Sequence, residues 1–154
     1  MRLDEAALVR WGQRIGRTLE TPAFVGLSGP LGSGKSVLAR AIGAGAGVRE
    51  PMPSPTFTLL QRYPASRGRR LVHLDLYRIE SPDELWEIGW GQLPDDDEIV
   101  VVEWPERAGT HLPPDRWLVE LAVPVGEPHV RDVEVTRVGS PPALAAFPLS
   151  LSPG

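Results

Sequence analysis

The sequence predicts an α/β fold in three layers, with a mainly parallel central sheet and antiparallel strands added towards the C-terminus. Three observations carry this reading. A short apolar run, Ala23-Phe24-Val25-Gly26-Leu27-Ser28, leads through glycines into Ser36-Val37-Leu38-Ala39-Arg40-Ala41-Ile42, which is apolar at helical spacing. A second run, Ile99-Val100-Val101-Val102-Glu103-Trp104, begins with four β-branched residues, the content of a parallel strand buried on both faces. Trp117 to Val123 and Val130 to Val138 instead alternate apolar and polar residues around the turn Pro124-Val125-Gly126-Glu127-Pro128, as an antiparallel pair does.

The glycines between the first strand and the first of these helices form the octapeptide Gly29-Pro30-Leu31-Gly32-Ser33-Gly34-Lys35-Ser36. It satisfies the phosphate-binding loop pattern G-x-x-x-x-G-K-[S/T] in full, in the strand–loop–helix context the pattern needs. The fold is therefore expected to be P-loop NTPase-like. Gly29 and Gly34 permit backbone angles that other residues avoid, and Gly32 adds slack between them. Successive amide N–H groups then line a nest for anionic oxygens, reinforced by the N-terminus of the following helix. Lys35 supplies a point charge for the β- and γ-phosphates, and Ser36 a hydroxyl ligand for Mg²⁺. Gly29, Leu31, Gly32, Ser33, Gly34, Lys35, Ser36 and Val37 are the expected nucleotide contacts. Of the 16 lysines plus arginines only Lys35 is lysine, so arginine serves wherever either cation will do. A guanidinium does not replace an ammonium in a tight phosphate nest, which explains the one exception.

Length and composition bound the rest. At 154 residues one domain is expected, residues 1–139, followed by a weakly ordered, Pro- and Ser-containing tail over 140–154. The net charge of −4, with both signs interspersed, argues against a nonspecific nucleic-acid binder. Without cysteine, thiol catalysis, disulfides and zinc–thiolate sites are excluded. No stretch approaches the roughly 18 apolar residues of a membrane span, and the acidic start Met1-Arg2-Leu3-Asp4-Glu5 lacks a signal core, so a cytoplasmic protein is expected.

In chain order, Asp4 is positioned to cap a first helix whose Leu8, Trp11, Ile15 and Leu19 share one face. The phosphate-loop helix is expected to end in Gly43, Gly45 and Gly47. Pro51-Met52-Pro53-Ser54-Pro55 is extended and stiff, and Thr56-Phe57-Thr58-Leu59 has strand content. This segment is either a connection into an edge strand or a nucleotide-sensing switch. Pro64 to Arg70 reads as a basic hairpin loop, either a solvated turn or a small polyanion patch. In Leu71-Val72-His73-Leu74-Asp75-Leu76-Tyr77-Arg78 the residues Val72, Leu74 and Leu76 face the core, while His73, Asp75 and Tyr77 share the other face. Asp75 then stands near a strand's C-terminal end, where α/β sheets place their crevice; the alternative is a solvent-facing stripe on an edge strand. Ser81-Pro82-Asp83-Glu84 opens a further helix with a capping box. The acidic run Pro94-Asp95-Asp96-Asp97-Glu98 is a solvated loop or a metal site. Glu103, ending its β-branched run, fits a Walker B carboxylate.

With these pieces in order the chain resembles the TsaE (YjeE) family, the small ATPase subunit of the bacterial machinery that makes N6-threonylcarbamoyladenosine in tRNA. The resemblance rests on the loop at 29–36, Ser54-Pro55-Thr56-Phe57-Thr58, His73-Leu74-Asp75-Leu76-Tyr77-Arg78, the Glu84-Leu85 segment ending in Ile88-Gly89, and Val102-Glu103-Trp104-Pro105-Glu106. It implies ATP in the loop, Mg²⁺ near Ser36 and Glu103, Asp75 as an essential active-site carboxylate, Thr56 in a switch, and Trp104 as an aromatic nucleotide contact. It also implies TsaD and TsaB as partners, with tRNA reached through the complex. Pro30 stands where the family often has an acid, Phe57 where it often has tyrosine, and Ala6-Ala7-Leu8 where a hydroxyl residue is common.

The expected activity is Mg²⁺-dependent ATP hydrolysis, with Lys35, Asp75, Glu103 and Thr56 as the catalytic set and Ser36, Glu103 and Asp75 as the metal set. Two alternatives stay open: a small-molecule kinase with Pro64 to Arg70 as lid, and a nucleotide-dependent binding switch with negligible turnover. A guanine reader of the Asn-Lys-x-Asp type is impossible in a chain without asparagine.

Overall fold

The computed structural model describes residues 1–53 and 60–147. In chain order its main elements are β1 (Arg2–Asp4), α1 (Glu5–Thr18), β2 (Ala23–Ser28), α2 (Lys35–Ala46), β3 (Leu60–Pro64), β4 (Arg70–Asp75), β5 (Glu98–Glu103), β6 (Arg116–Ala122) and β7 (Val130–Val138). Among the described residues the strands form one sheet in the order β1-β7-β6-β2-β5-β4-β3.

The fold is α/β as expected, but the sheet is mixed rather than mainly parallel. β2 pairs parallel with β5 and β6, and β4 with β5. β1–β7, β6–β7 and β3–β4 are antiparallel. Two strands pair in ways that the sequence does not announce. β1 is three residues long and carries no periodicity. Alternation along β6 reports one half-exposed face, not strand direction, and β6 enters the sheet parallel to β2 through Val25↔Trp117 and Leu27↔Val119.

The core lies on both faces of the sheet. Ile99 and Val101 join α1 and α2 residues such as Leu8, Trp11, Ile15, Leu38 and Ile42 in one cluster. Val100 and Val102 join Phe24, Val72, Leu74, Leu85 and Trp90 in the other. Successive side chains of a strand leave on opposite faces, so a strand covered twice is apolar throughout. β4 lies between β3 and β5, which excludes the solvent-facing stripe: His73 is 1% exposed.

The capping residues act as expected. The Asp4 carboxylate accepts the Ala7 N–H at 2.8 Å at the start of α1. Ser81 and Glu84 form the capping box of Pro82–Ile88, which winds as a tight 3₁₀ segment. α2 runs past two of the glycines expected to end it and stops at Ala46, where Gly47 adopts φ +95°. Gly45 lies within the helix because α1 crosses there: a Cβ on it would overlap the Gln13 carbonyl, and one on Gly16 the Ile42 carbonyl. Close approach of two backbones outweighs the low helix propensity of glycine.

The basic turn is exposed at Pro64, Ser66, Arg67 and Gly68, as a solvated turn is, but two of its arginines reach inward. Buried Arg69 donates from Nη1 to the carbonyls of Gly16 (2.9 Å) and Leu19 (3.1 Å) at the end of α1, and from Nη2 to that of Ala46 (3.2 Å) at the end of α2. Arg67 donates to the Arg17 carbonyl at 2.7 Å. Cations thus meet the unpaired carbonyls and negative dipole ends of two helices. Arg69→Ala orphans the Gly16 and Leu19 carbonyls, while Ala46 keeps the Ser66 hydroxyl at 2.8 Å, and is expected to cost about 3 kcal/mol, read as a fall of roughly 10 °C in thermal midpoint. The acidic turn is held by the neighbouring arginine, with Arg70 Nη2 at 2.8 Å from Asp97 Oδ1. Residues 140–147 carry no helix or strand; the Ala145 carbonyl accepts the Trp11 indole N–H at 2.9 Å, and Phe147 packs 4.7 Å from that ring.

Candidate functional site

The site lies where the C-terminal ends of the parallel strands meet, the usual crevice of an α/β sheet. β2 runs into the glycine loop, β5 ends at Glu103 and β4 at Asp75. The sheet register sets Leu27 beside Glu103 and Glu103 beside Asp75. Residues far apart in sequence are thereby brought to one rim.

In the loop, Gly29, Gly32 and Gly34 have φ of +147°, +79° and +102°. No other residue type adopts these angles without strain. At Gly29 space adds to the constraint, since a Cβ there would overlap the Leu121 carbonyl and lie 2.7 Å from Ser33 Oγ. Gly34 is the N-cap of α2 and provides no side-chain partner, so the first turn of the helix has N–H groups to offer a ligand.

Lys35 is 5% exposed. Its Nζ donates to the Gly29 carbonyl at 2.6 Å and the Pro30 carbonyl at 2.9 Å, and lies 4.3 Å from the centre of the Trp104 ring. Burial lowers its pKa from the ordinary lysine value; Glu103, Asp75 and Glu106 oppose that shift. Glu103, 2% exposed, is held at both oxygens: Oε1 accepts the Ser36 hydroxyl at 2.9 Å and Oε2 lies 2.7 Å from His73 Nε2. His73 Nδ1 has no hydrogen-bond partner, which leaves Nε2 as the nitrogen that orients the carboxylate. Asp75 Oδ1 accepts the Tyr77 N–H at 2.9 Å. Burial pushes the Asp75 pKa up, against that hydrogen bond, with Glu103 pushing the same way and His73 and Lys35 opposing.

A carboxyl whose pKa is higher folded than unfolded costs stability when ionised. The cost is absent below the ordinary aspartate value and complete above the raised folded one. Asp75→Asn keeps the acceptor for Tyr77 and removes the charge. It is expected to raise the thermal midpoint of the nucleotide-free protein at neutral pH and to leave it unchanged below the ordinary aspartate pKa, as melts across pH would record.

Trp104 has φ +60°, a left-handed conformation costly for a bulky side chain, and donates its N–H to the Leu27 carbonyl at 3.1 Å. Its ring pairs with that of Tyr77 at 5.0 Å. These side chains wall a cleft of about 380 Å³, lined by Leu31, Gly32, Gly34 to Val37, Asp75, Tyr77, Glu103, Trp104 and Arg131. A smaller adjoining cavity of about 170 Å³ is bounded by Glu5, Leu8, Gly34, Val37, Pro128, His129 and Arg131.

Of the predicted site residues, Leu31, Gly32, Gly34, Lys35, Ser36, Val37, Asp75, Glu103 and Trp104 line the one cleft. Gly29 and Ser33 shape the loop behind it. Thr56 lies outside the described residues. Three further residues contribute that the sequence does not single out. His73 and Tyr77 share the expected face, but their sequence context assigns them no role. Arg131 carries one available signal, a cation in register with Val133 and Val135 on an alternating strand.

The donors suit a hard divalent cation: one hydroxyl, Ser36, already meets one carboxylate, Glu103, with Asp75 beyond. Among the described residues no group of three or more His, Cys, Asp or Glu could hold a metal. Mg²⁺ does not need such a cage, because it keeps waters and takes one or two protein ligands alongside substrate phosphates.

Comparison with known proteins points one way. Residues 3–129 match the family model described as "Threonylcarbamoyl adenosine biosynthesis protein TsaE". The "tRNA threonylcarbamoyladenosine biosynthesis protein TsaE" of Streptomyces coelicolor is 37% identical over 132 residues, 83% of this chain and 88% of that protein. The protein of that name from Treponema pallidum is 37% identical over 115 residues, 74% of this chain and 83% of that one. The crystal structure of Bacillus subtilus YdiB superposes with a TM-score of 0.67 at 21% identity, covering 90% of this chain and 84% of that one, and supports the fold alone. The chain belongs to the TsaE family.

Proposed function

We propose that this chain is a Mg²⁺-dependent ATP-binding and ATP-hydrolysing subunit required for threonylcarbamoyl modification of adenosine in tRNA. The observation that carries the reading is the convergence of Lys35, Ser36, Asp75 and Glu103 on one cleft, with the Ser36 hydroxyl on the Glu103 carboxylate. The unit responsible is residues 1–139, with 140–154 as an appended tail, acting in the cytoplasm; among the described residues no helix is long and apolar enough to cross a membrane.

The loop's amides and the N-terminus of α2 bind the phosphates. Lys35 leaves the Gly29 and Pro30 carbonyls to reach the β- and γ-phosphate oxygens. Ser36 and Glu103 would hold Mg²⁺, which when bound would supply charge neutralisation on those oxygens. His73 keeps the Glu103 carboxylate in one orientation. Asp75, poorly solvated at the same rim, would orient the attacking water. Trp104 and Tyr77 shield one side of the cleft. The purine stacks beyond Val37 in the smaller cavity, between Leu8 and Pro128. Phosphoryl transfer asks mainly for positioning and charge stabilisation, so this short list suffices. TsaD and TsaB are the partners that complete the site or read its nucleotide state.

The test is ADP and phosphate release from Mg·ATP without any acceptor, alone and with TsaD and TsaB, alongside threonylcarbamoyladenosine formation on tRNA. Slow hydrolysis alone, faster with the partners and required for modification, is expected. ADP appearing only with a phosphorylated acceptor contradicts the reading in favour of a kinase. Tight binding with no turnover in any mixture contradicts it in favour of a switch.

A further inference from the structure

Arg131 reaches from the start of β7 to the phosphate loop and lines both the cleft and the adjoining cavity. Its Nε donates to the Ser33 carbonyl at 2.9 Å and Nη2 to the Gly32 carbonyl at 3.4 Å. Nη1 anchors the side chain to its own strand, on the carbonyls of Pro128 and Val130, both at 2.9 Å. Its partners are therefore backbone carbonyls, and among the described residues no carboxylate pairs with it.

We propose that Arg131 is a positioning residue of the nucleotide site, which rests on the ATP-binding reading above. In a planar trans peptide the C=O and the next N–H point in opposite directions. Fixing the Ser33 carbonyl therefore fixes the Gly34 N–H, the first donor at the head of α2. Gly34 sits at φ +102°, and a Cβ there would lie 3.4 Å from Leu8 Cδ2 and 3.8 Å from Arg131 Nε. The guanidinium thus packs on the glycine whose conformation shapes the nest. A planar fork holds two successive carbonyls in a fixed geometry while its other nitrogen stays anchored to β7, a spread that the single nitrogen of a lysine does not span. The positive charge, unpaired by any acid, adds to the attraction for a polyphosphate at the same rim. The antiparallel strand at the side of the sheet is thereby made part of the binding site.

The experiment measures Kd for Mg²⁺ with the non-hydrolysable analogue adenylyl imidodiphosphate, steady-state KM and kcat for ATP, and the nucleotide-free thermal midpoint. It compares the full chain with its Arg131→Ala, Arg131→Lys, Arg131→Gln and Lys35→Ala variants. Arg131→Ala is expected to weaken binding about tenfold, raising KM more than it lowers kcat, with lysine restoring part of the affinity and glutamine less. A Kd within about twofold of wild type in Arg131→Ala overturns the proposal; so does a lowered midpoint with unchanged Kd, the mark of a purely structural contact. If Arg131→Ala does not fold, the lysine and glutamine variants are judged by the same measure. Lys35→Ala separates the two levels: lost binding there with intact binding in the Arg131 variants rejects only the Arg131 role. No measurable binding by the wild-type chain rejects the ATP-binding reading itself.

Discussion

Lys35→Ala is expected to remove measurable ATP turnover and to weaken Mg·ATP binding by roughly 1.5–3 kcal/mol, about ten- to a hundredfold. The cost falls on function rather than on the fold. Burial already lowers the pKa of this ammonium, so the apoprotein pays to keep it charged beside Trp104 and under the loop's own carbonyls. Alanine removes that cost and leaves the Gly29 and Pro30 carbonyls facing the cleft, where water can reach them. Lys35→Arg is expected to fail as well, because the fork of a guanidinium does not fit the space that the point charge occupies. Titration calorimetry with Mg·ATP, a steady-state assay and a thermal melt check the three parts separately: binding lost, turnover lost, midpoint nearly kept.

Glu103→Gln is expected to lower Mg²⁺-dependent turnover by about a hundredfold or more. The amide keeps the shape but loses the charge, and it cannot accept from Ser36 and His73 together, because one of its two ends is a donor. Glu103→Ala goes further. It leaves buried His73 with neither ring nitrogen satisfied, since Nδ1 already has no partner, and is expected to destabilise the fold by about 1–3 kcal/mol. The comparison is diagnostic: both variants lose turnover, but alanine loses more stability than glutamine. Equal turnover in wild type and Glu103→Gln at saturating Mg²⁺ would contradict a metal role for this carboxylate.

Local signals in the sequence reached the elements and most of the cleft because each has a physical signature on its own. Four β-branched residues before Glu103 specify a twice-covered strand, Asp4 and Ser81-Pro82-Asp83-Glu84 specify helix starts, and the glycines of the loop specify positive φ. What escaped depends on residues distant in the chain. Strand direction at β6 is decided by its pairing with β2, which alternation does not encode. Gly45 reads locally as a helix stop, yet it exists because Gln13 passes above it. Arg67 and Arg69 read locally as a solvated turn until the ends of α1 and α2 are seen to meet there. Arg131 belongs to the same class, a charge on an inward-facing position whose partner is the loop 98 residues earlier.

The arrangement also separates roles by mobility of partner. Glu103 is fixed from two sides, whereas Lys35 is tied to the loop's own backbone and Asp75 to a single backbone N–H. A ligand that gathers Lys35 must therefore replace its two backbone carbonyls, while Glu103, the carboxylate proposed to hold the metal, is already in place.

The most direct measurement is a crystal structure with Mg²⁺ and adenylyl imidodiphosphate. The account predicts the β- and γ-phosphates within the turn formed by residues 29–36, Lys35 moved from the Gly29 and Pro30 carbonyls onto phosphate oxygens, and the metal beside Ser36 and Glu103. A nucleotide bound elsewhere, with that turn unchanged and Lys35 still on its backbone carbonyls, would contradict it.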